Sequence, residues 1–165
     1  MECRRKARLL PISGVSQDDI GDKIRVYGYL TLPEDATSAI ALVHSPRAKL
    51  SSPQGMPKPG DSKPKPVRQK GSGLLVDLSL CLSGGNDLLR ESGFLVMAVG
   101  NLESMDDHSL HEFIRTSERA LRISIDDKLI LRLILLREAR NNTLKDLEDA
   151  IVIRNDFEKD QGNSR

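Results

Sequence analysis

Three histidines, two cysteines and a few paired aspartates are the side chains in this 165-residue chain that could do chemistry. His108 and His111 stand at i and i+3, which on a helix turns both rings to one side with Asp107 adjacent. Such a pair can hold a cation, but neither cysteine lies at ligand spacing, and a solvated helix face is the better account. Cys3 and Cys81 give no sign of a paired framework and read as reduced thiols of an intracellular protein. Asp18-Asp19 and Asp126-Asp127 fit turns; general acid-base work would need an apolar pocket around one carboxylate that the sequence does not show. No glycine loop runs into Lys-Ser or Lys-Thr, so a phosphate cradle is unsupported, and Gly71-Ser72-Gly73 reads as the end of a linker. The expectation is a binding protein without a cofactor or a metal, not an enzyme.

Charge offers a second chemistry. The net charge of +1 hides a segregation in which Arg47, Lys49, Lys58, Lys63, Lys65, Arg68 and Lys70 stand against Asp61 alone, with Arg4, Arg5, Lys6 and Arg8 near the start. These cations could neutralise phosphates in a sequence-independent, salt-dependent way, with Lys63, Lys65, Arg68 and Lys70 as candidate contacts. A solubilising loop or a localisation signal fits the same residues. Aromatic residues make up 3% of the chain and tryptophan is absent, so stacking would fall to Tyr27, Tyr29, Phe94, Phe113 and Phe157. That weighs against a dedicated single-strand reader. No run approaches the roughly 20 apolar residues of a bilayer span, and the basic start lacks the apolar core of a secretory signal.

The elements that must position these residues are mostly strands. Candidates are Lys23 to Leu32, Ala39 to His44, Gly73 to Leu82, Phe94 to Leu102 and Leu129 to Leu136. Gly28 interrupts the first, as at a bulge or bend that lets one strand serve both halves of a closed barrel. The clearest period-two signal is Leu74, Val76, Leu78, Leu80 and Leu82. Residues 45–72, rich in proline, glycine, lysine and serine, read as a disordered loop between the second and third strands. Asn86 can cap a short helix from Asp87 to Ser92 that stops at Gly93. Residues 104–120 read as a second insertion, an inserted helix or a flexible loop, and Ile123 to Leu136 as a long strand or a hairpin around Asp126-Asp127, with Leu129, Leu131, Leu133 and Leu135 marking one face. After the cap cluster Asn141-Asn142-Thr143, an apolar stripe of Leu144, Leu147, Ala150, Ile151, Arg154 and Phe157 predicts a closing helix, with Ile153 off the stripe.

This order predicts one domain over residues 1–165, with a core of about 9–158. It is mainly β with α: a five-stranded Greek-key barrel of the oligonucleotide-binding (OB) type with a C-terminal α-helix. The stripe on that helix is longer than plugging the barrel requires, which suits pairing with a partner; packing on its own barrel is the alternative.

Gly21-Asp22-Lys23-Ile24-Arg25-Val26-Tyr27-Gly28-Tyr29-Leu30, preceded by Leu10-Pro11, resembles the first strand of Ten, the smallest subunit of the telomeric CST complex. Leu147-Glu148-Asp149-Ala150-Ile151 resembles that subunit's closing helix, and Val96 to Glu103 its fourth strand. The resemblance implies a nuclear, telomeric protein that protects chromosome ends and regulates telomere length. It would pair with a larger OB-fold subunit, Stn, as the small subunit of replication protein A pairs with its own partner. It places Arg25, Leu144, Leu147, Ile151, Arg154 and Phe157 at the partner surface and turns Tyr27 and Tyr29 toward single-stranded DNA, bound weakly by the chain alone. The insertions at 45–72 and 104–120 depart from compact members of the family. They leave open a small OB-fold subunit of another replication or recombination complex, or an independent single-strand-binding module.

Overall fold

The computed structural model describes residues 6–34, 38–46, 70–82 and 92–139, together with 144, 146, 147, 149–151, 153 and 154. The expected helix from Asp87 to Ser92, except Ser92 itself, the cations Arg47 to Arg68, and Phe157 lie outside the described residues.

Alternation of apolar and polar residues sets the strands. They are β1 (Arg8–Leu9), β2 (Lys23–Thr31), β3 (Ile40–Ser45), β4 (Gly71–Asp77), β5 (Leu95–Ser104) and β6 (Ile123–Glu138). In β2 burial follows the sequence period, Ile24, Val26 and Leu30 inward and Lys23, Arg25, Tyr27 and Tyr29 half-exposed on the outer face. The sheet runs β1-β2-β3-β4-β6-β5 and closes because β2 also pairs with β5. Its five long strands form a barrel in which only β4 and β6 are parallel, which is the OB topology.

Closure depends on β2 serving two ladders. Lys23 to Tyr29 pair with β5 and Tyr29 to Thr31 with β3, so Tyr29 sits opposite both Leu95 and His44. Gly28 lies at this junction, where a Cβ would come within 2.7 Å of Val43 Cγ1 and 2.8 Å of the His44 carbonyl oxygen. The ladder with β5 runs through Gly28 without a register shift, so the glycine serves as a point of close approach that admits no side chain.

The barrel interior is aliphatic: Ile24, Val26, Leu30, Val43, Leu74, Val76, Leu102, Leu129, Leu131 and Leu133 share one core. A second cluster lies on the barrel's outside, where Leu42, Leu75, Ile123 and Ile125 pack with Ile114 of an α-helix, α1 (His111–Leu121). Residues 104–120 therefore hold an ordered helix, placed between β5 and β6. Asp107 starts its approach by accepting from the Ser109 N–H at 2.9 Å, and Arg122 ends it in the left-handed conformation.

Several readings need correction. The loop read over 45–72 is too long at both ends: Ser45 belongs to β3, and Gly71 and Ser72, read as the end of a linker, already pair in β4 with β6 and β3. The third strand ends at Asp77 and does not reach Leu82, because Asp77 Oδ1 accepts from the Ser79 N–H at 2.9 Å and turns the chain. Leu80 and Leu82 consequently stand 62% and 51% exposed. Of the two alternatives over Ile123 to Leu136 the long strand holds and the hairpin does not: β6 is one strand with an irregularity, opposite Gly73–Leu75, where Asp126 Oδ1 accepts from the Lys128 N–H. Its first turn of residues, Ile123 and Ile125, packs outward beneath α1, and Leu129 onward faces the barrel interior. Opposite Gly100 a further shift inserts Ile134, which is exposed, so Leu136 and not Leu135 joins the core.

Candidate functional site

The outer face of β2 carries three of the residues that the resemblance singled out. Arg25, Tyr27 and Tyr29 alternate along it, half-buried, opposite Val99, Met97 and Leu95 of β5. Arg25 Nε is buried and makes no hydrogen bond. Tyr29 and His44 lie with ring centroids 6.0 Å apart, and burial pushes the imidazole pKa below its ordinary value of 6.5. The arrangement is a row of two tyrosines and a guanidinium on a strand that also holds the barrel closed. It can offer stacking and a cation, but only over a partly covered surface.

One of the basic residues is committed to structure. Arg8 donates to buried Asp19 at 2.6 Å and to Asp22 at 3.1 Å. Asp19 in turn closes a capping box with Ser16. Arg8 therefore holds the entry turn onto β2, so this cation is committed to structure. The Asp18-Asp19 pair is turn chemistry, as read. Lys70 is exposed at the start of β4, and Lys63, Lys65 and Arg68 lie outside the described residues.

The closing-helix residues divide between two environments. The described residues from 144 to 154 are helical, with Leu144 and Ile151 at 6% and 2% exposure and Leu147 half-buried. The burial is by this chain itself, so the stripe expected to face a partner is turned inward at those two positions. Asp146, Asp149, Ala150, Ile153 and Arg154 are exposed, Ile153 at 69%. Ala150, counted with the stripe in the sequence, lies on that outer side, beside Ile153.

His108 and His111 meet edge to face, 5.0 Å between centroids, and Asp106 lies 3.8 Å from His108. Both rings are exposed at the start of α1. Among the described residues no group of three or more His, Cys, Asp or Glu side chains is placed to hold a metal ion. Burial and the nearby Asp77 carboxylate push the Cys81 thiol pKa up, which disfavours the reactive thiolate.

Sequence reasoning missed the surface made by α1. The helix lies over Leu42 and Leu75, which pair across β3 and β4 and are fully buried. Glu118 fastens it by accepting from the Ile125 N–H at 3.0 Å. Between α1 and the segment leaving β2 is a cleft of about 590 Å³, lined by Leu32, Pro33, Leu110, Phe113 and Leu121, with Glu34 and Glu112 beside them. The signal was present in Leu110, Phe113 and Ile114 at helical spacing, but only the folded chain shows which strands they meet.

No family model matches the chain, and no curated protein matches it in sequence. Solved structures do. The crystal structure of the telomere capping protein Ten1 from S. pombe superposes with a TM-score of 0.50 at 14% identity, over 92% of this chain and 99% of that one. A chain of the S. pombe Stn1–Ten1 complex superposes with a TM-score of 0.51, also at 14% identity, over 93% and 95%. The likeness is one of fold. It covers almost the whole length of both chains.

Proposed function

We propose that this chain is the small OB-fold subunit of a telomere-capping complex, bound to a larger Stn-like OB-fold subunit in an arrangement like that of replication protein A. The observation that carries this reading is the near-complete mutual coverage with Ten1, alone and in its complex with Stn1. Poverty in aromatic residues points the same way, toward a subunit whose main contact is protein and whose single-strand contact is assisted. The proposed location is nuclear, at telomeres.

In this reading the exposed side of the closing helix, with Ile153 at its centre and Arg154 beside it, meets the partner helix. Leu144 and Ile151 hold that helix in place, and Leu147 and Phe157 complete the contact proposed from the sequence. Arg25 on β2 lends a cation to the partner surface, while Tyr27 and Tyr29 stack against single-stranded DNA, with Lys63, Lys65, Arg68 and Lys70 adding salt-dependent attraction. Ile153→Asp places a charge where an apolar contact is proposed and disturbs no buried residue. It should abolish co-purification with the larger subunit while the thermal unfolding midpoint stays unchanged. Undiminished co-purification of this variant would exclude the helix as the contact.

A further inference from the structure

OB barrels commonly take oligonucleotides on the outer face of their second and third strands, between the loops that follow the first and fourth. In this chain those parts are β3 and β4, the segment after β2, and the segment that contains α1. The helix occupies that face. Beneath it lie Leu42, Leu75, Ile123 and Ile125, all buried aliphatic residues. Lifting α1 would thus uncover neither the rings nor the cations that a single strand requires, and the helix is a fixed cover, not a lid.

What remains of the usual ligand groove is the cleft between α1 and the segment leaving β2. Its apolar lining includes Leu32, Phe113 and Leu121, its charged members are Glu34 and Glu112, and no lysine or arginine stands among the described lining residues. Two carboxylates without a cation repel phosphate and attract ammonium and guanidinium groups. A volume of about 590 Å³ accommodates a few large apolar side chains. From this geometry we infer that the cleft is closed to nucleic acid and takes an apolar segment of a protein partner flanked by lysine or arginine. The chain's own residues 47–69 supply cations but only Leu50, Met56 and Val67 as larger apolar side chains, so an external segment is the better match. No described residue of the closing helix lines the cleft, and the inference stands whether or not the pairing proposed above is correct.

Fluorescence anisotropy on the full chain tests it, with a labelled amphipathic peptide of leucine and lysine as probe and its leucine–glutamate counterpart as control. The leucine–lysine peptide should bind and the control should not. Reversing both rim charges, Glu34→Lys with Glu112→Lys, should weaken the first peptide roughly tenfold and admit the second. Ala120→Trp fills the cleft from an exposed lining position and should block both. All of these positions are exposed, and circular dichroism melts verify that each variant folds. Peptide binding that Ala120→Trp leaves intact would overturn the proposal. So would displacement of the peptide by single-stranded DNA, or a dimer in sedimentation that Ala120→Trp disperses, which would assign the cleft to a second copy.

Discussion

At the scale of single residues, neighbours decide what each ionisable group is for. Arg8 looks like part of a basic tract, yet a buried carboxylate at 2.6 Å makes it a brace. His44 looks isolated, and folding half-buries it beside Tyr29. Its pKa is lowered by that burial, so between the folded value and 6.5 the unfolded chain binds more protons than the folded one. Stability contributed by neutral His44 is therefore fully present above 6.5 and is lost as the pH falls through that value toward the folded pKa. Urea midpoints measured in a series from neutral to mildly acidic pH should decline, and His44→Asn should flatten the decline. An equally steep decline in the variant would place the pH sensitivity elsewhere. None of this was legible in the sequence, because spacing cannot report burial or a partner distant along the chain.

At the scale of elements, the strands were readable wherever every second residue is apolar. Ile24, Val26 and Leu30 in β2 and Leu74, Val76 and Leu78 at the third strand alternate because the barrel interior takes every second residue. The alternation then misled where geometry breaks the period. Leu80 and Leu82 continue the pattern but follow the Asp77 turn, and Leu135 keeps it past the shift opposite Gly100. Gly100 itself admits no Cβ against the Arg132 carbonyl, a constraint that lies between two strands. The helix α1 was half-legible: its apolar residues were visible, their seat on β3 and β4 was not. Ile114, 6% exposed, is its anchor in that seat. Ile114→Ala should cost about 2–4 kcal/mol in chemical unfolding, the range for an aliphatic residue truncated in a packed cluster. A loss well under 1 kcal/mol would mean that α1 is loosely held and the outer face of β3 and β4 is open after all.

At the scale of the whole molecule, a closed barrel settles architecture and leaves function to its outer surfaces. Three of those surfaces differ in chemistry: the half-buried Arg25, Tyr27 and Tyr29 row on β2, the apolar and acidic cleft beside α1, and the exposed side of the closing helix with Ile153. The amphipathic period predicted that helix but not which of its apolar residues would be consumed by the chain's own fold. Leu144 and Ile151 are so consumed, which moves the proposed partner contact around the helix and keeps the helix as its bearer. The account rests on the pairing of this chain with a larger subunit. Affinity purification of the tagged full chain from nuclease-treated nuclear extract of its native cells, with the co-purifying chains identified by mass spectrometry, tests that most directly. The account predicts a larger protein carrying its own OB barrel, recovered in near-equal amount and persisting after the nucleic acid is destroyed. Recovery of the chain alone, or with companions that vanish on nuclease treatment, would contradict it.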